Sequence, residues 1–312
     1  YTLIHYRTDE WERVAFEHAC RVLAGRGLPV DGLVFEPDRF IQGLVIDLQL
    51  GNLVKATRFG YVVKAFHGTQ AVGFDELRRT YSGVVIDLAD RRFRFLNTLF
   101  SISEAALYAQ LVDRLDAGLF GAGAEPGGPG PMGYDELYWS VLGALDESHA
   151  TGALKAEILA DPDRFCELDG DVAAALLDQR LAGKRLLLVT NSEWSYTNPM
   201  MSYAFDAVMA RERRGGTWHD LFDLVVVAAD KPGFFTDRPA TFRMVDPERG
   251  LLAPHYGPYR IRERVVGGSG TGPDVYHGGS ATLVEQSLGL AGDEILYVGD
   301  HLFGDVHVSK RT

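Results

Sequence analysis

The residues best suited to chemistry lie in the second half of the chain. In Ile295-Leu296-Tyr297-Val298-Gly299-Asp300-His301-Leu302-Phe303-Gly304-Asp305 an apolar run ends in Gly-Asp, and a second acid follows five positions on. Glycine lets the backbone turn sharply. A carboxylate presented there can hold a hard cation such as Mg²⁺ through oxygen. Asp305 can join the metal, orient its waters or pair with Lys231. The plain alternative is two solvated loop carboxylates.

Two further clusters share this setting. Val225–Asp230 is apolar and runs into Lys231-Pro232. A lysine at a strand end can neutralise a phosphate as a compact point charge, and the proline predicts an extended backbone at Lys231. A surface lysine is the bland reading. Leu187-Leu188-Val189 delivers Thr190-Asn191-Ser192. Their hydroxyls, amide and backbone N–H groups can hold a phosphate, although a helix cap after an ordinary strand has the same look.

Such groups work only if regular elements bring them together. Lys184–Thr190, Leu221–Ala229 and Glu294–Val298 read as strands, and Asp171–Leu181, Asn198–Met209 and Ser280–Leu290 as helices. Strands alternating with helices predict an α/β fold with a parallel sheet, whose ligands sit at the carboxyl ends of the strands. Gly267–Gly279 reads as a glycine-rich loop. In the first half, Glu10–Gly25 has helical apolar spacing, closed by Gly25 and Gly27. Leu44–Leu50, Gly51-Asn52 and Leu53–Thr57 predict a hairpin. A second turn at Phe59-Gly60 precedes Tyr61–Phe66. Ser103–Leu115 reads as a helix capped by Ser103, and Asp135–Leu145 as another. Gly121–Gly133, rich in Gly and Pro, reads as a loop.

Composition sets the outer limits. Of 312 residues, 46% are hydrophobic and 24% charged, as in a folded globular protein rather than a disordered one. The net charge of −12 and a pI near 5.2 argue against a nucleic-acid-coating surface. No apolar run reaches the ~18–20 residues of a membrane span. Two cysteines, Cys20 and Cys166, do not make a disulfide framework and fit a reducing cytoplasm. Length predicts two domains.

In this order, together with the opening Tyr1-Thr2-Leu3, the clusters resemble the haloacid dehalogenase (HAD) superfamily of phosphohydrolases. Tyr1 and Thr2 resemble the last positions of its opening Asp-x-Asp-x-Thr. Thr190 resembles the second motif's hydroxyl, Lys231 the third motif's lysine, and Asp300 and Asp305 the acids of the fourth. Asn97-Thr98-Leu99-Phe100, Thr190-Asn191-Ser192 and Gly299–Asp305 narrow the resemblance to the cytosolic purine 5′-nucleotidase branch. It spans nearly the whole chain, with Gly121–Gly133 poorly matched.

The resemblance implies a HAD-like Rossmannoid parallel sheet flanked by helices, with an inserted cap domain. It places residues 1–65 and 151–312 in the core and 66–150 in the cap. It implies a Mg²⁺-dependent 5′-nucleotidase that hydrolyses IMP- or GMP-like purine monophosphates through an aspartyl-phosphate, with transfer to a nucleoside as a side activity. The nucleophile and the acid/base aspartate would precede Tyr1. Within this sequence Thr190, Lys231 and Asp305 would be catalytic and Asp300 the metal ligand. Phe100, Asp146, His149, Lys155, Asn191 and Ser192 would bind substrate. The implied partner is a small nucleotide, with no nucleic-acid polymer and no membrane, in the cytoplasm; homo-oligomers are common in the family. Leu142 stands where the family places a substrate-side arginine, and Ser101 where members carry Asn, so the departures fall on base preference. Two other readings remain open: a HAD phosphatase for another small phosphate ester, and a non-catalytic nucleotide-binding protein with a degenerate core.

Overall fold

A computed structural model describes residues 1–87, 89–96, 101–120, 132–150, 152–212, 216–261 and 273–309, with backbone alone at 149–150, 212 and 302–303. The chain forms two compact units, Tyr1–Tyr6 with Asp161–Thr312, and Arg7–Ala160. Residues 7–65 pack with the segment that follows them, because α1 buries its apolar face within that unit.

The chain opens with the short strand β1 (His5–Tyr6), and α1 (Thr8–Gly25) follows. Val14, Ala15, Ala19 and Leu23 line one stripe of α1 and are buried, as helical periodicity requires. β2 (Val45–Asp47), β3 (Asn52–Ala56), β4 (Val62–His67), β5 (Gln70–Ala71) and β6 (Phe93–Phe95) form one antiparallel sheet in the order β5-β4-β3-β2-β6. Both expected turns are present. The first spans four residues, Leu48–Gly51, rather than two. Gly51 has φ +68°, and a Cβ there would lie 2.7 Å from the Tyr134 ring, so only glycine suits this turn.

α2 (Phe74–Tyr81) precedes β6, while α3 (Ile102–Asp116), α4 (Tyr134–Ala150) and α5 (Ala153–Ala160) complete the unit. α1, α3 and α4 pack on one another. Ser103 is not the cap of α3: it lies inside the first turn, after Ser101. Its N–H donates to the buried carboxylate of Glu12 on α1. An acid from another helix takes the capping role, as the positive end of a helix favours. In the sheet, fully buried Asp47 accepts from Arg92 Nε at 2.9 Å, Arg92 Nη2 at 2.7 Å and the Tyr81 hydroxyl at 2.9 Å.

The other unit continues with α6 (Pro162–Phe165) and β7 (Cys166–Glu167), which pairs with β1. α7 (Gly170–Leu181) is capped by Asp169, whose Oδ1 accepts from Asp171 N at 2.9 Å. β8 (Leu187–Val189), α8 (Trp194–Glu212), β9 (Leu224–Val227), α9 (Gly233–Thr236), β10 (Thr241–Asp246), β11 (Leu251–His255), β12 (Val275–His277) and α10 (Ala281–Leu288) follow. The sheet order is β11-β10-β12-β9-β8. β8, β9 and β12 are parallel; β10 and β11 are antiparallel additions. The architecture is therefore mixed α/β. Leu224–Val227 is wholly buried, the mark of a parallel strand covered on both faces.

Three expectations need correction here. The segment read as a glycine-rich loop contains β12, whose Val275 and Tyr276 are buried; only three residues long, it is hidden by the glycines around it. The strand expected at Glu294–Val298 is absent from the ladder. Ile295 and Tyr297 turn toward the core while Leu296 and Val298 are 88% and 67% exposed. The alternation of a strand is kept, but without neighbouring backbone to bond it is not one. α8 begins at Trp194, ahead of the expected Asn198, and runs through Pro199. Among the described residues no helix is long and apolar enough to cross a membrane.

Candidate active site

The ends of β8 and β9 and the loop after Val298 converge over one apolar base. Leu224, Val226, Phe234, Phe235 and Tyr276 form its buried part, and Val189, Ile295 and Tyr297 pack on it. Burying these side chains fixes the direction of the polar residues that follow each of them.

Lys231 follows β9. Its Nζ lies 2.9 Å from Asp305 Oδ1 and donates to the Tyr297 hydroxyl at 2.9 Å. That hydroxyl donates to Asp305 Oδ1 at 2.7 Å. Asp305 is 4% exposed. Burial by itself would raise its carboxyl pKa. Hydrogen bonds from Lys231, Tyr297 and the His301 N–H outweigh that effect and hold it below the usual value. Burial, reinforced by the bond to Asp305, pushes the Tyr297 hydroxyl up. Gly299 is required beneath this group, since a Cβ there would sit 2.6 Å from Asp305.

The backbone at Lys231 is gripped as firmly. Asn191 Nδ2 donates to Lys231 O at 2.9 Å, and Asn191 Oδ1 accepts from Lys231 N at 2.7 Å. The amide of Asn191 thus holds the backbone of the lysine and keeps a second N–H. Ala228 and Asp230 hold positive φ, 47° and 59°, a conformation costing about 1–3 kcal/mol per residue and concentrated at functional sites. Ala228 N donates to Ser192 O at 3.0 Å and Ala229 N to Thr190 O at 3.0 Å, so the loop after β8 sustains the strained loop after β9. Thr190 Oγ1 accepts from Ser192 N at 3.1 Å.

Asp300 is exposed, and its Oδ1 accepts from Thr2 Oγ1 at 2.6 Å. β1 pairs with β7, and the buried hydroxyls of Tyr6 and Tyr196 lie 3.0 Å apart, which ties down the segment carrying Thr2. One exposed carboxylate fits a Mg²⁺ ion held by one or two protein carboxylates, with waters and substrate oxygens completing its shell. Among the described residues no cluster of three or more acids, histidines or cysteines forms a complete cage.

One unit thus gathers Thr190, Asn191, Ser192, Lys231, Asp300 and Asp305. Asp146, His149 and Lys155 belong to the other unit, on α4 and α5. Asp146 is exposed and Lys155 half-buried; the His149 side chain and all of Phe100 lie outside the described residues. The sequence did not single out Tyr297 as part of the site. Its trace is the alternation Ile295, Tyr297, Gly299, which places it on the inward face just before the Gly-Asp turn.

The chain is 32% identical over 286 residues to 5′-nucleotidase domain-containing protein 2 of Rattus norvegicus, covering 87% of this chain and 46% of that protein. It is 31% identical over 286 residues to the protein of the same name in Homo sapiens, covering 87% and 49%. The chain spans about half the length of these curated relatives. The family profile described as "5' nucleotidase family" matches residues 1–312. By that match over its whole length, the chain belongs to the 5′-nucleotidase family.

Proposed function

We propose that the protein hydrolyses nucleoside 5′-monophosphates, with purine substrates of the IMP or GMP kind preferred, in a Mg²⁺-dependent reaction on a HAD-like core with a cap. The observation that carries this reading is the placement of Lys231 after β9, bonded to Asp305, in the unit that also holds Thr190 after β8 and Asp300 after the Gly299 turn. Family membership supports the phosphomonoester chemistry.

Lys231 and Thr190 would bind the transferring phosphoryl oxygens and stabilise the charge that grows on them. Asp305 keeps the ammonium aimed, and Asn191 and the Ser192 carbonyl hold the loop that carries it. Asp300 would hold Mg²⁺, which when bound offsets the negative charge of the phosphate. By the family resemblance the nucleophile would be an aspartate outside this sequence, which would take the phosphoryl group as an aspartyl-phosphate. Water then releases it, or a nucleoside hydroxyl accepts it. By the family resemblance, Phe100, Asp146, His149 and Lys155 would bind the nucleotide.

The test is phosphate release by the full-length protein from IMP, GMP, AMP, a pyrimidine monophosphate and a sugar phosphate, each with Mg²⁺ and with chelator. Mg²⁺-dependent release favouring purines supports the whole reading. Release favouring the sugar phosphate removes the nucleotide assignment. Nucleotide binding without release from any ester moves the protein to a non-catalytic role.

A further inference from the structure

Resting on the phosphatase reading, we propose that Tyr297 is a positioning residue: its hydroxyl sets the direction in which Lys231 presents its charge.

A lysine ammonium has three donors and no acceptor. The Tyr297 oxygen, 2.9 Å from Lys231 Nζ, must therefore accept from it, and its own single hydrogen goes to Asp305 Oδ1 at 2.7 Å. With Lys231 Nζ also 2.9 Å from Asp305 Oδ1, the three groups close a triangle. Two of the ammonium hydrogens are thereby directed at Tyr297 and Asp305. The third is the one to offer a phosphoryl oxygen. A carboxylate alone would hold the charge but leave its orientation loose, since an ammonium is a nearly isotropic point charge on a flexible stem.

The tyrosine is itself well anchored. Its ring meets Phe235 edge-on with centroids 5.1 Å apart, and it packs on the apolar base beneath the site. Burial keeps the hydroxyl protonated, as a donor to Asp305 must be. Phenylalanine fills the same space, so the hydroxyl can be removed with the packing retained.

The experiment compares full-length wild type, Y297F, K231Q and the double variant in IMP and p-nitrophenyl phosphate hydrolysis, with thermal melts of each. Y297F is expected to lower kcat about tenfold, the scale of one hydrogen bond to a charged group, with KM within about twofold for both substrates. On the K231Q background the same change is expected to cost nothing further, because the tyrosine acts through the lysine. An unchanged kcat in Y297F, or losses that multiply in the double variant, would overturn the proposal. So would a Y297F that fails to fold, since the hydroxyl would then be holding the fold rather than the lysine. If wild type releases phosphate from no ester, the functional reading fails on its own. Calorimetric titration with inorganic phosphate then decides the positioning role. Weaker binding by Y297F than by wild type supports it; equal binding, or none by either, overturns it.

Discussion

Thr2 donates its hydroxyl to Asp300 Oδ1 at 2.6 Å, joining residues 298 positions apart in sequence. The segment ahead of β1 and the Gly-Asp turn after Val298 therefore form one feature of the site.

Asp300→Asn is expected to abolish Mg²⁺-dependent phosphate release in the full-length protein. The amide keeps an oxygen for Thr2 but loses the charge that a hard cation needs. Turnover near wild type with Mg²⁺ present would remove Asp300 as metal ligand. Chelator should bring wild type down to the level of the variant.

Lys231→Ala is expected to reduce kcat by about 10²-fold or more, the scale of losing one preorganised charge-stabilising donor. It also leaves the buried Asp305 carboxylate without its cation, so the melting temperature should fall as well. Steady-state kinetics and a thermal melt read both effects, and an unchanged kcat would take the lysine out of the site.

Phe100→Ala should raise KM for IMP while sparing p-nitrophenyl phosphate, if the ring stacks on the base as the family resemblance implies. Equal effects on the two substrates would mark Phe100 as a packing residue.

Glu12 gives the Arg7–Ala160 unit a pH-dependent stability. Burial, reinforced by nearby Glu104 and only partly offset by Ser103, raises its carboxyl from 4.5 to about 7. The folded chain then binds a proton more tightly than the unfolded chain. Stability should be unaffected by Glu12 below about 4.5 and should decline as pH rises from there to about 7. Urea midpoints across that range should show the decline, and Glu12→Gln should flatten it. A decline of the same size in the variant would assign the effect to other groups.

Arg92→Leu should destabilise the same unit by about 3–5 kcal/mol, because it strands a buried charge at Asp47. Denaturant unfolding of Arg92→Leu against Arg92→Leu/Asp47→Asn checks the cause: removing the stranded charge should restore part of the loss.

Much of the scaffold was legible in the sequence because local forces decide it. The helical stripe of α1, the β2–β3–β4 hairpins and the buried run of β9 depend on near neighbours and on period. Thr190 and Lys231 follow the ends of β8 and β9, where a polar residue closing an apolar strand is a local pattern as well. What the tertiary structure alone decided involves partners distant in sequence. Whether Ile295–Val298 is a strand depends on a neighbour to bond it, and β12 is a strand because β9 and β10 lie on either side. Glu12 serves as the cap of α3 only because α1 packs there. Lys231 is aimed by Asn191 and by Tyr297, 40 residues before it and 66 after. Sequence determines which side chains can donate, accept or carry charge. Only burial in a shared core brings them within the roughly 3 Å at which hydrogen bonds act.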